Sequence, residues 1–179
     1  VLEHAVWNFI IAGVSRSFSH KLVRHRAGWG YSQRSQRYVD ESDASFVEPD
    51  VIAEDERAHQ VWMRAIEAAR QAYMELVEIL SDKFKDVPDR TLRRKMARQA
   101  ARSVLPNATE TIIFVTANAR ALRHFIELRG SEWADPEIRK VAIKILRIMQ
   151  KEAPHIFGDY RIERLPDGTE VARTEHEKV

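Results

Sequence analysis

The chain has 179 residues, a formal net charge of only +2 and no cysteine, which excludes disulfides, cysteine-ligated zinc and a thiolate nucleophile. Its length suits one domain with a substantial core, and 44% hydrophobic with 31% charged residues is ordinary for a globular protein. No apolar run reaches the roughly 18–20 residues that span a bilayer and nothing resembles a signal peptide, so a cytoplasmic setting with no membrane partner is expected.

In chain order, His4 to Ile11 is apolar with aromatic and β-branched members and reads as a buried strand. Gly13 is expected to break it, and Ser15 to cap a helix through about Arg24 whose buried stripe is Phe18, Leu22 and Val23. The stretch from Arg24 to Tyr38 then holds four arginines, one histidine, two glycines and two serines. It starts at a helix C-terminus, where positive charge suits the dipole, and Gly28 and Gly30 are expected to open a loop. Guanidinium forks grip phosphate and carboxylate oxygens in pairs and stay charged at any working pH. Glycine lets the backbone approach a ligand, and the serines and glutamines can bond a sugar or a base edge. This is the pattern of a nucleotide site, with a solvated basic loop as the alternative. The whole chain favours Arg over Lys, 21 to 8, a bias that a GC-rich genome would also give. No Lys/Arg tail or long cationic run supports nucleic acid as a partner.

Residues Asp40 to Asp50 are acidic and irregular. Ala58, Trp62, Ala65, Ala69, Ala72, Leu76, Leu80 and Phe84 recur at helical steps and predict the longest helix, stopped by Pro88. It reads as core packing or as an interface scaffold. A third helix is expected from about Arg90 to Val104, ended by Pro106, with Arg94, Arg98 and Arg102 on one face. That face is either solvated or turned to an anionic partner. Thr109 to Thr116 reads as a strand, and Asn118 as the cap of a helix ending at Arg129, with Gly130 at its C′ position. Asp135-Pro136-Glu137 starts a further helix, and Pro166-Asp167-Gly168 sits between two short strands of a hairpin. His4, His20 and His124, taken singly, read as packing histidines, and no His/Asp/Glu spacing suggests a metal.

Arg24-His25-Arg26, followed by Ser35 and Arg37-Tyr38, resembles the signature of the flavin-dependent thymidylate synthases (the ThyX family). The family spacer of seven residues is eight here, Ala27 to Arg34. Val1-Leu2-Glu3-His4, Gly13-Val14-Ser15-Arg16, Arg102-Ser103-Val104-Leu105-Pro106 and Asn118 through Arg129 are also similar, in the family's order, so the resemblance runs to about Pro154. It implies an α+β fold, a small β-sheet with several packed helices and a long helix in mid-chain. It also implies one domain over 1–179. The chain opens at Val1 in mid-motif, so the N-terminal part of the family domain is expected to be missing.

Methylating a pyrimidine at C5 can proceed by adding a cysteine thiolate at C6, a route closed to this chain. The family route polarises the ring electrostatically, while a reduced flavin carries the redox step. The resemblance implies FAD as cofactor, methylenetetrahydrofolate as carbon donor, NADPH as reductant and a homotetramer with shared sites. Carried over by position, Arg24 would touch nucleotide and flavin, and His25 and Arg26 the flavin. Gln33, Arg34, Ser35, Gln36 and Arg37 would line the nucleotide, with Arg37 on its phosphate and Gln33 also reaching the cofactor. Arg102 would reach the nucleotide from a neighbouring subunit. Asn118, Arg120 and His124 would hold FAD, and Arg129 would polarise the uracil as the catalytic residue.

The chain departs from the family at Ser32 and Gln33, where Asn and Glu are frequent, at Lys21, often Gln, and around Trp133, where a histidine is replaced. Arg34 stands where an apolar residue is common, and its donors could meet a ribose hydroxyl. A UMP/dUMP methylase of a nucleoside-antibiotic pathway is therefore one alternative. A non-catalytic, Arg-rich nucleic-acid-binding module is another.

Overall fold

The computed structural model describes residues 1–177. These form strands β1 (Val6–Ser15), β2 (Trp29–Gln33), β3 (Glu110–Asn118), β4 (Arg161–Arg164) and β5 (Glu170–Arg173). The helices are α1 (Arg16–Leu22), α2 (Asp50–Ala53), α3 (Glu56–Lys83), α4 (Arg90–Ala101), α5 (Ala119–Arg129), α6 (Pro136–Glu152) and α7 (Pro154–Phe157), and a 3-10 turn covers Arg102–Val104. The architecture is α+β, as expected, with a three-stranded sheet in the order β1-β3-β2 and a separate β4-β5 hairpin. No described helix is long and apolar enough to cross a membrane.

Two compact units emerge from the chain. The first comprises Val1–Ile11, Phe18–Ser32 and the chain from Ile113 onward; the second comprises Ala12–Ser17 and Gln33–Ile112. In the first unit Phe18, Leu22, Ile113, Leu122, Phe125 and Met149 are fully buried. Burying a side chain of that size contributes ~1.5–3 kcal/mol. Its helices start where their caps dictate: the Asn118 side chain accepts from the Ala121 N–H at 2.9 Å, and that of Asp135 from Glu137. The hairpin pairs Ile162 with Ala172 and Glu163 with Val171, and Val171 is buried where β5 meets α5 and α6. Arg123 on α5 grips both carboxylate oxygens of Asp159 at 2.6 and 2.7 Å, and the Thr174 hydroxyl donates to the same carboxylate at 2.6 Å.

The second unit is built around α3 packed on α4. Asp55 and Asp89 cap these helices, each accepting from two backbone N–H groups. Of the apolar stripe expected along α3, Ala65 is exposed and the other members are half-buried; the fully buried residues are Ile66 and Tyr73, two turns apart. The seam thus lies beside the one that alanine spacing picked out.

Four local expectations change. β1 does not end at Gly13 but runs through it, because φ of +69° gives a local irregularity that glycine takes without strain. Val23 is exposed rather than part of the α1 stripe. Gly30 lies inside strand β2, so the loop opened at Gly28 is only a turn. Gly130 caps α5 with φ of −82°, not in the left-handed region; a Cβ there would stand 2.5 Å from the Ile126 carbonyl and 2.8 Å from Ala172. Tight packing, not backbone conformation, requires that glycine.

Candidate functional site

The Arg-rich signature is divided between the units: Arg24 to Ser32 belong to the first, and Gln33 to Tyr38 to the second.

In the first unit α1 ends at Leu22, and the chain turns over Arg24 and Arg26, both exposed, while His25 points inward at 6% exposure. The His25 ring sits among the rings of Phe125, His124 and Trp29, at centroid distances of 5.2, 5.9 and 6.2 Å. Trp29 stacks on Tyr31 at 5.8 Å with the planes 5° apart. The Tyr31 hydroxyl lies 3.0 Å from the Leu22 carbonyl and 2.5 Å from that of His25, which fastens the turn. Burial raises this phenol's pKa.

Arg129, at the end of α5, donates from Nε to His25 Nε2 at 3.0 Å. A guanidinium has donors only, so His25 accepts through Nε2 and is the neutral tautomer with its proton on Nδ1. Burial, followed by the charges of Arg129 and His124, pushes its pKa down to about 4. The pair therefore places a permanent cation against an uncharged acceptor.

Beside this cluster lies a cleft of about 340 Å³ lined by Glu3, Gly28, Asn118, Arg120 and His124, with Ala27 and Ala121. Gly28 has φ of +74°, and a Cβ on it would come within 2.6–2.9 Å of the Asn118 side-chain amide. Its carbonyl accepts from the Asn118 N–H at 3.1 Å. Gly28 thus packs its backbone directly against Asn118 in the cleft wall, where a side chain would clash. Arg120 and His124 are exposed at its rim, and Arg120 pairs with Glu3 at 3.0 Å. His4 and His20 are exposed, so the packing role read for them is replaced; His124 is exposed too but sets its ring against that of His25, the buried histidine among the described residues. Lys21 ties to Asp135, the α6 cap, at 2.6 Å, and Trp133 is exposed.

In the second unit, the Gln33 amide donates to the Thr111 hydroxyl at 3.2 Å. The Arg34 backbone is held at both ends: its N–H donates to the Ile112 carbonyl, and its carbonyl accepts from the Arg16 guanidinium at 2.9 Å. The Arg34 side chain is exposed, Ser35 and Arg37 are half-buried and Gln36 is buried. The Ser35 hydroxyl accepts from the Arg37 N–H at 3.4 Å, closing a tight turn. Arg102 is half-buried on the 3-10 turn, and its charge acts on Arg16.

Arg98 belongs neither to a solvated face nor to an external anion. It donates to the Tyr38 carbonyl at 3.0 Å and to Asp40 at 2.6 Å. Sequence reasoning missed Arg16 and Glu41 as members of this group. Arg16 was visible only as part of a family-like block, and Glu41 was one acid in an acidic run. Among the described residues, no cluster of three or more His, Asp or Glu gathers as a metal would require.

The family model for thymidylate synthase complementing protein matches residues 1–155. The chain belongs to this family, the flavin-dependent thymidylate synthases. A protein of that name from Mycobacteroides abscessus is 55% identical over 172 residues, which is 96% of this chain and 68% of the relative. Relatives of the same name from Mycobacterium avium and Mycobacterium tuberculosis are 54% identical over the same shares. The flavin-dependent thymidylate synthase signature is thus a segment that runs from one unit into the other.

Proposed function

We propose that this chain catalyses FAD-dependent C5-methylation of dUMP to dTMP, with methylenetetrahydrofolate as carbon donor and NADPH as reductant. It does so as a cytoplasmic homotetramer with its family's fold and shared sites. The observation that carries the reading is the Arg129–His25 pair beside a cleft lined by Gly28 and Asn118. A dinucleotide cofactor needs close backbone approach and donors at its rim, and Gly28, Asn118, Arg120 and His124 provide both. Arg24 and Arg26 stand exposed on the turn next to them. Exposed Val61, Met63, Met74 and Ile79 on α3 supply apolar surface for an assembly.

FAD, when bound, supplies the redox chemistry that completes the methyl group. This chain's residues bind and polarise. Arg129 commits its Nε to His25, so the guanidinium presents a fixed face. Such a preorganised cation stabilises negative charge developing on the uracil ring without reorganisation during the reaction. Because His25 is neutral, the pair keeps a full positive charge. Gln33, Ser35, Gln36, Arg37 and Arg102 line the nucleotide, with Arg37 on its phosphate.

The test is to purify the protein and assay it directly. It is expected to be yellow, to release FAD on denaturation, and to make dTMP from dUMP only when both the folate and NADPH are present. A colourless protein that binds DNA with steep salt dependence would instead identify a nucleic-acid-binding module.

A further inference from the structure

The turn that carries Arg24, His25 and Arg26 joins α1 to β2, and its backbone is closed bond by bond. The Arg24 N–H donates to the Lys21 carbonyl at 3.3 Å, the His25 N–H to that of Leu22 at 3.0 Å, and the Trp29 N–H to that of Arg26 at 3.3 Å. The His25 carbonyl is met by a side chain, the Tyr31 phenol at 2.5 Å. The same hydroxyl lies 3.0 Å from the Leu22 carbonyl. A phenol has one proton, and the Leu22 carbonyl already accepts a backbone N–H, so the bond that counts is the one to His25. Burial raises the phenol's pKa, which keeps that proton in place.

The tyrosine is itself anchored. Trp29 and Tyr31 stand two apart on β2 and so share a face, with their rings stacked at 5.8 Å and the planes 5° apart. Trp29 in turn meets the ring of fully buried Phe125 at 5.4 Å, edge to face. The phenol is thus tied through Trp29 to the apolar wall and reaches from it to the turn. His25 is gripped at three points: its N–H, its carbonyl, and its ring, which accepts from Arg129 Nε. Arg24 and Arg26, on either side of it, are exposed. Their side chains leave the turn in directions set by the peptide planes that flank His25. Whatever fixes the His25 carbonyl therefore also fixes where these two cations start.

We propose that Tyr31 is a positioning residue for the cofactor: its hydroxyl holds the His25 carbonyl so that Arg24 and Arg26 are presented to FAD in fixed directions. This rests on the reading that the chain binds FAD. Phenylalanine at this position keeps the stack on Trp29 and loses only the donor. The turn must then be ordered at the moment of binding, a cost that the hydroxyl removes beforehand. A role confined to packing predicts no change in affinity, since the ring that packs is the same.

The experiment titrates FAD into the flavin-free full chain, well below its melting temperature, and reads Kd from flavin fluorescence. Four proteins are compared: the parent, Tyr31→Phe, a protein carrying 4-aminophenylalanine at position 31, and Tyr73→Phe. Tyr31→Phe is expected to bind FAD about tenfold more weakly. The amino group returns an N–H donor at the place of the hydroxyl and is expected to bring Kd back to within about threefold of the parent. Tyr73→Phe removes a buried phenol hydroxyl from the second unit and is expected to change Kd less than about twofold. A folded Tyr31→Phe protein with parental affinity overturns the proposal, and so does an equal loss in Tyr73→Phe. A 4-aminophenylalanine protein that stays about tenfold below the parent overturns it as well, and that arm decides the matter if Tyr31→Phe does not fold. Failure of the parent itself to bind FAD overturns the functional reading instead.

Discussion

The two units that share the signature are held together by different physics. Among the described residues, eleven of the twelve largest fully buried side chains lie in the first unit, Tyr73 being the one in the second. The His25–Arg129 pair is accordingly set in a packed apolar wall, where neighbours fix it by shape. In the second unit the Gln33–Tyr38 part of the signature and the segment after it lie in a frame of side-chain donors to backbone carbonyls, contributed by Arg16, Arg70 and Arg98. A packed wall resists displacement in every direction. A frame of hydrogen bonds fixes selected atoms and leaves side chains such as Arg34 free at the tip. The first arrangement suits a reacting centre that tolerates little misplacement; the second suits an anion that is gripped by charge.

If that contrast holds, the largest effect comes from the packed side. Arg129→Ala is expected to lower turnover by about a hundredfold or more with FAD still bound, read from steady-state rates and flavin absorbance. Arg129→Lys should be nearly as poor, because a point charge cannot keep both the His25 contact and a planar face. Near-normal turnover in Arg129→Ala would remove its catalytic assignment. Next comes Gly28→Ala, which forces a side chain into the left-handed region and against Asn118. Flavin content at fixed FAD should fall about tenfold, the scale set by ~1–2 kcal/mol of left-handed strain, whereas dUMP affinity should hold. An equal loss of both would erase the distinction between the sides.

On the framed side, Arg98→Ala frees the Tyr38 carbonyl and Asp40. It is expected to cost ~1–2 kcal/mol of stability and to raise KM for the nucleotide while flavin content stays constant. The pH response separates the units again. His25 has its folded-state pKa near 4, below its ordinary 6.5, so the unfolded chain takes up the proton first. Its contribution is intact above pH 6.5 and is lost as pH falls from 6.5 towards 4. Thermal melts of the parent should show this loss, and His25→Gln should flatten the curve over that window. The smallest effect concerns the sugar. If the exposed Arg34 side chain reaches a ribose 2′-hydroxyl, Arg34→Leu should lower kcat/KM for UMP relative to dUMP by a few-fold; UMP inert in both proteins would mean that Arg34 has no bearing on the sugar.

In the first unit the helix caps and the hairpin turn were legible, while Val23 and Gly30 were misread. Asn118 and Asp135 as caps, the ends of α5 and the β4–β5 turn each follow from a short-range rule about which side chain satisfies which backbone group. Apolar periodicity found Leu122, Phe125 and Ile126 for the same reason. The second unit depends on contacts far apart in sequence, Arg98 with Tyr38 and Arg70 with Ser42, that leave no periodic trace. The α3 seam was misplaced because small alanines mark a helical face as readily as they mark burial, whereas Ile66 and Tyr73 carry the contact. Glu41 was hidden in an acidic run, since composition does not tell this buried carboxylate from Asp40, which pairs with Arg98, or Glu48, which pairs with His59. Resemblance supplied candidate site residues that spacing alone could not.

The Arg123–Asp159–Thr174 clamp has a consequence for how the chain can be shortened. The family match stops at residue 155, which invites a trimmed protein ending there. Such a cut would remove Asp159, whose carboxyl the Arg123 guanidinium holds well below the usual carboxylate range, and would leave that half-buried cation without its anion. It would also uncover the apolar surface that Phe157, Tyr160 and Val171 now seal. The final hairpin is therefore a cover rather than an appendage, and a protease that reaches it would release the helix carrying Arg120, His124 and Arg129 from its outer support.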